Sequence, residues 1–190
     1  MTHYLKILMM TFLTLGFLAG CLAPRGDSPA EKRAAIQQMK GETLDSLYME
    51  HPTAREVIGK SAGYAVFSNI SGQYFFVGGG GGYGVAVDRT SGRETYMRMA
   101  QVGLGLGLGL QDVRAVFVFH SQRALDDFVA KGWEFGAQMD AAVKARDKGA
   151  AVTGEVSIDP EITVYTLSEA GLLAKVNLAG TKYWRDDALN

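Results

Sequence analysis

Hydrophobic positions over residues 29–50 recur at helical spacing, which predicts an amphipathic α-helix. The positions on its apolar stripe are Ile36, Met39, Thr43 and Leu47. We place three polar side chains on the opposite side, namely Arg33, Gln37 and Lys40. Ser28 and Pro29 predict the start, because Ser is a preferred N-cap and Pro fits the first helical position. His51-Pro52 predicts the end, since the residue before proline avoids the α region.

The hydrophobic period changes to two from residue 64 onward, which predicts β-strands. A second short helix over residues 53–61 precedes this change. The predicted strands are residues 64–68, 74–77, 83–88, 95–111, 113–119, 151–158, 162–167 and 172–178, with Tyr183-Trp184 closing the chain. A helix capped by Ser121 and running to Ala130 interrupts them. Residues 133–145 fit either a strand or a helix.

Two glycine-rich tracts lie within this strand-like text, at residues 78–82 and 103–110. Glycine weakens a strand, so the alternating Gly-Leu tract at residues 103–110 needs a structural reason. The two reasons we consider are sharp curvature at a barrel corner and close approach of a helix or backbone. We therefore predict an α+β fold for residues 29–190, as one domain. Its N-terminal helices pack on a strongly curled or barrel-like, mostly antiparallel β-sheet of short Gly-rich strands.

The start of the chain has the layout of a secretory signal. An apolar run over residues 5–18, with Lys6 as its basic flank, ends in Leu18-Ala19-Gly20-Cys21. The run is shorter than the roughly 20 residues that a spanning helix needs. A cysteine directly after small residues resembles a bacterial lipobox, and an ordinary signal peptide is the alternative. We expect a signal peptide over residues 1–20 and a tether over residues 21–28, with Cys21 carrying diacylglycerol and a palmitate-type acyl chain.

Composition and motifs point to no catalytic or cofactor chemistry. The chain has 19 Lys and Arg against 20 Asp and Glu, unlike a nucleic-acid-binding protein. Its single cysteine provides neither a disulfide framework nor a thiolate metal site. The spacing G-x-G-x-x-G occurs within residues 78–84, but a strand rather than a helix follows it. His51 and His120 lack metal-ligand spacing. We expect no enzyme activity, no cofactor and no metal.

Several blocks along the chain agree in order with a known family. The blocks are residues 57–67, the glycine tract, the Gly-Leu repeat, Gln111-Asp112-Val113, residues 121–128 and residues 165–180. Over roughly residues 30 to 184 the chain strongly resembles the SYLF domain family. Members of that family occur in bacterial lipoproteins and in eukaryotic adaptors associated with cortical actin.

The resemblance implies a lipid-binding module. Eukaryotic members are associated with phosphoinositide (phosphatidylinositol-type) binding through basic residues of an N-terminal amphipathic helix. The positions carried over to this chain are Lys32, Arg33, Lys40, Arg55 and Lys60. Acidic residues dilute the positive charge of this helix, so we expect affinity for anionic phospholipids in general. Alternatively, the helix buries its stripe against the sheet and its charges are solvated.

The expected location is the cell envelope. Leu22 is not the aspartate associated with inner-membrane retention, so in a Gram-negative host we expect an outer-membrane anchor facing the periplasm. Two other functions stay open. The first is an interaction protein that presents Tyr74, Phe75, Tyr83 or Trp133 to an envelope partner. The second is an enzyme acting on envelope lipids, with His120 as a candidate.

Overall fold

The computed structural model describes residues 23–134, 155–168, 171–172 and 181–190. The helices in these ranges are α1 (Pro29–Glu50), α2 (Ala54–Lys60) and α3 (Gln122–Lys131). The strands are β1 (Gly63–Asp88), β2 (Glu94–Phe119), β3 (Trp133–Glu134), β4 (Glu155–Asp159), β5 (Ile162–Ser168), β6 (Gly171–Leu172) and β7 (Thr181–Arg185). The predicted signal peptide, Cys21, most of residues 133–145 and most of the predicted strand at 172–178 lie outside the described residues.

Helix α1 begins and ends where its local sequence signals predict. The Ser28 hydroxyl accepts a hydrogen bond from the Glu31 backbone N–H at 3.2 Å, and the Glu31 carboxylate accepts one from the Ser28 N–H at 2.9 Å. This reciprocal pair is a capping box. At the other end, His51 N–H bonds the Leu47 carbonyl. The N-cap, the Pro29 start and the stop before Pro52 are therefore confirmed.

A long hairpin forms most of the antiparallel sheet. Strands β1 and β2 are paired along nearly their whole length. Val87 lies opposite Glu94 next to the turn, and Gly63 lies opposite Phe119 at the open end. The other edge of β2 pairs with β7 near its start and with β5 near its end. The complete path runs β3-β7-β2-β5-β4, with β1 on β2 and β6 on β5. The α+β prediction is thus confirmed.

The prediction of a strongly curled or barrel-like sheet was wrong. The path of described strands ends at β3 and β4, which do not pair with each other, so the sheet is open. The glycines at 82 and 84 serve close backbone approach instead. A Cβ at Gly82 would collide with the Ser68 carbonyl, and one at Gly84 with the Val66 carbonyl.

Side chains of the sheet alternate between two cores. Val66 and Val116 pack with α1 and α2 on one face, in a cluster that contains Ile36 and Leu47. Their neighbours Phe67 and Phe117 point to the other face, where α3 covers them. This alternation follows from the period of two in a strand. The α1 stripe is buried at all four predicted positions, which are Ile36, Met39, Thr43 and Leu47. The apolar side of α1 therefore packs against the sheet, as in the alternative in which the helix buries its stripe.

Candidate functional site

Lys40 is neutralised within the fold. Its Nζ lies 2.6 Å from Glu94 Oε1, and its side chain is 17% exposed. Gln37 Nε2 donates to the other Glu94 oxygen at 2.6 Å and approaches the Tyr96 hydroxyl at 2.9 Å. The placement of Lys40 opposite the apolar stripe was wrong. At about 100° per residue, a residue four positions after Ile36 lies only about 40° away around the helix.

Arg33 and Lys32 occupy the N-terminal part of α1. Arg33 Nη1 donates to the Leu189 carbonyl at 3.3 Å, so its polar contact is with a neutral group. Lys32 is half-buried. Within the described residues neither side chain forms an ion pair with a carboxylate. Both therefore keep an uncompensated positive charge.

Arg55 and Lys60 are exposed on α2. The Arg55 guanidinium carbon lies 4.2 Å from the centre of the Tyr48 ring, a cation–π arrangement. Burial is the main cause that raises the pKa of Tyr48, and the neighbouring Tyr64 raises it further. The positive charge of Arg55 opposes this rise. Lys60 instead pairs with Glu56 at 2.5 Å in an exposed i,i+4 contact. Arg55 thus stays without a carboxylate partner in the described part of the chain.

The five predicted cations do not form one cluster. Arg33 contacts the segment after β7, whereas Arg55 contacts Tyr48 near the far end of α1. Tyr48 lies about 22 Å along the helix from Arg33, at about 1.5 Å per residue. Because Lys40 and Lys60 are paired, the available positive charge is at Lys32, Arg33 and Arg55.

A groove of about 670 Å³ opens beside the N-terminal part of α1. Its lining includes four cations, which are Arg33, Arg93, Lys131 and Arg185, and two acids, which are Glu94 and Asp126. We refer to it as the Arg93–Arg185 groove. Three of these cations, Arg93, Lys131 and Arg185, were not among the predicted site residues. They come from the β1–β2 turn, the end of α3 and the end of β7, so no local pattern connects them.

The segment after β7 forms one wall of the Arg93–Arg185 groove. Asn190 Oδ1 accepts from the Tyr96 backbone N–H at 3.0 Å, while Asn190 Nδ2 donates to the carbonyls of Tyr96 at 2.8 Å and Asp186 at 2.6 Å. Leu189, also in the lining, is buried at 4% exposure. These contacts attach the segment to β2, so the wall is preformed.

Gly132 shapes the opposite wall, where α3 ends. Its φ of 69° lies in the left-handed region that favours glycine. A Cβ at this position would also collide with the Tyr183 carbonyl. The absence of a side chain therefore lets the chain pass from α3 directly against β7. That passage brings Lys131 to the same groove as Arg185.

The acids of the groove are more fully occupied than its cations. Glu94 is paired with Lys40, and Asp126 Oδ1 accepts from Gln122 at 3.1 Å. Within the described ranges Arg185 forms one ion pair, an exposed contact of 3.5 Å to Asp187, and Lys131 bonds Asp127 at 2.7 Å. This Lys131 hydrogen bond holds the pKa of Asp127 below its usual value. Arg93 contacts no carboxylate among the described side chains. Arg33 and Arg93 are thus the cations of the lining that have no carboxylate partner among the described residues.

Two other kinds of feature are absent from the described residues, namely a membrane-spanning helix and a metal-binding cluster. None of the described helices combines the length and hydrophobicity needed to cross a membrane. No three His, Cys, Asp or Glu side chains within the described ranges are placed to hold a metal ion. His120, the candidate for an enzyme, is exposed, and its Nε2 lies 2.9 Å from the Thr163 hydroxyl.

Comparison with known proteins identifies the family. The family model Ysc84, described as Las17-binding protein actin regulator, matches residues 100–190. The chain is also 35% identical over 159 residues to Beta cell expansion factor A of Aeromonas veronii. The chain belongs to the Ysc84/SYLF domain family. The aligned region covers 84% of this chain and 59% of the Aeromonas protein, so the chain spans less than two thirds of that relative.

Membership of the Ysc84/SYLF family confirms the resemblance seen in the sequence blocks. The segment that the family model matches contains Lys131, Trp184 and Arg185 of the groove. All five cations carried over from the SYLF resemblance lie before that segment. The family model therefore includes much of the groove and none of the predicted lipid-binding positions.

Proposed function

We propose that this chain is an envelope lipoprotein that is anchored through acylated Cys21 and binds anionic phospholipids through its SYLF domain. The observation that supports lipid binding is the unpaired charge of Lys32, Arg33 and Arg55, which contact no carboxylate among the described residues. Lys32 and Arg33 are adjacent on α1 and Arg55 lies on α2, so positive charge without acidic partners stands at two places on a chain with a formal net charge of −1. The proposal assigns a binding role and no catalytic one.

The attraction in this proposal is electrostatic. The apolar stripe of α1 faces the core, so α1 does not insert that stripe into lipid. Each well-placed Lys or Arg contributes about 1 kcal/mol near an anionic surface, and salt screens this attraction. The modification expected at Cys21 carries several acyl chains, which give stable anchoring by themselves, so the basic surface would orient the domain on the membrane rather than hold it there. The SYLF domain would then hold its membrane-facing side against the lipid.

The anchor follows from the lipobox-like sequence and is tested by labelling. Cells that express the full chain are grown with radiolabelled palmitate, and the protein is isolated. We expect label on the parent and none on a Cys21→Ser variant. An unlabelled parent would contradict lipidation. Separation of outer and inner membranes from a Gram-negative host then tests the expected outer-membrane location facing the periplasm.

Lipid binding is tested separately from the anchor. The full chain carrying Cys21→Ser is sedimented with neutral phosphatidylcholine vesicles and with vesicles containing phosphatidylglycerol, across a salt series. The readout is the increment that phosphatidylglycerol adds over neutral vesicles. The charge variants below leave residues 1–20 unchanged, so they separate the contribution of the domain from that of Lys6. We expect an increment that decreases with salt. No increment at low salt would overturn the proposed lipid binding.

A matched pair of variants tests which charges contribute. Lys32→Gln with Arg55→Gln removes two unpaired cations, and Lys60→Gln with Arg123→Gln removes two that form exposed ion pairs. Both variants have the same net charge. We expect the first to lower anionic-vesicle affinity about 30-fold at low salt, from about 1 kcal/mol per cation, and the second to lower it much less. Equal losses would remove the assignment to Lys32 and Arg55.

A second candidate function is binding of an envelope protein. It is favoured by the matching family model, Las17-binding protein actin regulator, whose name gives a protein partner for that family. Of the aromatic residues considered for such a surface, Tyr83 is half-buried, while the side chains of Tyr74, Phe75 and Trp133 lie outside the described residues. Capture of one specific envelope protein, without any phosphatidylglycerol increment, would favour this function over lipid binding.

A further inference from the structure

We propose that the Arg93–Arg185 groove binds the phosphate of an anionic phospholipid headgroup. This inference rests on the proposed lipid binding and assigns it a site that the sequence did not indicate. Arg93 and Arg185 are the phosphate ligands, Arg33 adds positive charge, and Trp184 contacts the membrane interface. All four residues line the same groove.

The charges of the groove favour an anion. Four cations and two acids line it, and both acids already accept hydrogen bonds from the protein. The Arg93 side chain contacts no carboxylate in the described part of the chain. The ion pair that holds Arg185 in the described part of the chain is a 3.5 Å contact to Asp187, and the two side chains are 55% and 92% exposed. Such exposed pairs are weak, so a phosphate can replace Asp187 at little cost.

Arginine suits this ligand better than lysine would. The guanidinium group is planar and offers two parallel N–H donors to two phosphate oxygens. Arg93 and Arg185 come from the β1–β2 turn and the end of β7, so they reach the groove from different elements. The C-terminal end of α3 also borders the groove and carries partial negative charge. Lys131 lies at that end and offsets it.

The size and preformed walls of the groove fit a headgroup. Its volume of about 670 Å³ lies within the range of roughly 300–1,000 Å³ that is common for small-molecule sites. The Asn190 hydrogen bonds and the Gly132 turn hold its walls before any ligand binds. A lipid headgroup would therefore enter a shaped site, with its acyl chains left in the bilayer.

Trp184 favours a lipid over a free phosphate. Among the described large hydrophobic side chains only Met49 and Trp184 are exposed, and Trp184 is 37% exposed. It precedes Arg185 in β7 and lines the groove. Tryptophan prefers the boundary between headgroups and acyl chains, where its ring is half in an apolar environment. An exposed Trp next to two arginines thus fits a surface that touches a bilayer.

The test compares two charge-matched variants in the full chain carrying Cys21→Ser. Arg93→Gln with Arg185→Gln removes the phosphate ligands, and Lys60→Gln with Arg123→Gln is the control. The probe is vesicles of phosphatidylcholine with or without phosphatidylglycerol. We expect the groove variant to lose about 30-fold in the phosphatidylglycerol-dependent affinity at low salt, and the control to lose much less. Thermal unfolding should be nearly unchanged in both.

The outcomes separate the site from the proposed function. If the parent shows no phosphatidylglycerol increment, lipid binding and the groove site both fail. If the parent binds and the groove variant binds as tightly as the control, the groove site fails while the proposed lipid binding stands. A groove variant that unfolds is replaced by Ala130→Glu, which places a carboxylate at an exposed lining position of α3. This variant should also lose the increment, and an unchanged increment would overturn the site.

A soluble-phosphate arm distinguishes the two sources of the same chemistry. Glycerol phosphate is titrated into the parent and the groove variant at constant ionic strength, and thermal stability is recorded. We expect no shift at millimolar concentrations, because the site also uses Trp184 at the bilayer surface. A rise in the melting temperature of the parent alone would show that the groove takes free phosphate, and would overturn the assignment to lipid.

Discussion

Lys40 Nζ and Glu94 Oε1 lie 2.6 Å apart and join α1 to the first residue of β2. Glu94 accepts a second hydrogen bond from Gln37 of the same helix. A positive charge that the SYLF resemblance suggests for lipid binding is therefore used inside the fold. The same contact removes the negative charge of Glu94 from the Arg93–Arg185 groove, which it lines.

Lys40→Met should destabilise the protein more than Lys60→Met. The Lys40 side chain is 17% exposed, and its replacement leaves Glu94 without its cation. Lys60, in contrast, is 76% exposed in its pair with Glu56. We expect a loss of about 1–2 kcal/mol in the free energy of unfolding for Lys40→Met and about 0–0.5 kcal/mol for Lys60→Met. Urea unfolding measures both. Equal losses would contradict a structural role for the Lys40–Glu94 pair.

Gly82→Ala should be far more damaging than Gly79→Ala, although both lie in one glycine tract. A Cβ at Gly82 would collide with the Ser68 carbonyl and come within 3.0 Å of the Asn69 Cα, so backbone must move. At Gly79 the nearest atom would be 3.7 Å away, which is ordinary contact. We expect a loss of about 3 kcal/mol or more at Gly82, above the usual cost of overpacking, and little at Gly79. Thermal unfolding decides, and similar melting temperatures would contradict the close approach.

Local signals predicted the helices well because caps and breakers act over a few residues. Ser28, Pro29 and Pro52 delimit α1, and the short helix predicted over residues 53–61 is α2. Ser121 caps α3 by accepting from the Ala124 backbone N–H at 3.2 Å. Strand boundaries were predicted less well. Three separate strands were expected within β1, but its glycines do not end the pairing with β2.

The shape of the sheet and the groove depend on contacts distant in sequence. A glycine tract does not reveal which backbone will approach it, and the position of Ser68 beside Gly82 is set by residues 14 positions apart in β1. The groove likewise assembles Arg93, Lys131 and Arg185 from three separate elements. Each of these residues looks like ordinary solvated charge in its own segment. Helix spacing did contain one usable signal, because Lys40 lies close to the angle of Ile36 around α1.

Acid should weaken the turn after β1, because protonation of the Asp88 carboxylate weakens the hydrogen bonds that it accepts there. Its Oδ1 accepts from the backbone N–H groups of Thr90 at 2.9 Å and Ser91 at 3.1 Å, and Oδ2 accepts from Gln122. The pKa of Asp88 is held below its usual value by hydrogen bonds. The largest contribution comes from the Ser91 side chain and then the Ser91 backbone, and Thr90 and Gln122 add to it. The resulting stability is present above the unfolded-state pKa of about 4 and is lost as pH falls through the lower folded-state pKa.

Asp88→Asn is therefore expected to be less stable than the parent at pH 7, with a difference that shrinks as pH falls below about 4. Urea unfolding at several pH values measures that difference. Asp45→Asn is the control, because Asp45 is exposed and its carboxylate accepts no hydrogen bond among the described residues. A difference between parent and Asp88→Asn that stays constant down to pH 2 would show that the charge of Asp88 is not what stabilises the turn.

Asn190→Ala should loosen the wall of the Arg93–Arg185 groove. The substitution removes three hydrogen bonds, one accepted from the Tyr96 N–H and two donated to the carbonyls of Tyr96 and Asp186. At about 1 kcal/mol per bond, offset in part by water, we expect a loss of about 1–2 kcal/mol in the free energy of unfolding. Asp187→Ala, at a side chain that is 92% exposed, should change stability little.

The specific readout is hydrogen exchange of the Tyr96 amide, which should become faster in Asn190→Ala and stay unchanged in Asp187→Ala. Unchanged exchange at Tyr96 in Asn190→Ala would mean that the wall is held by other contacts, such as the burial of Leu189.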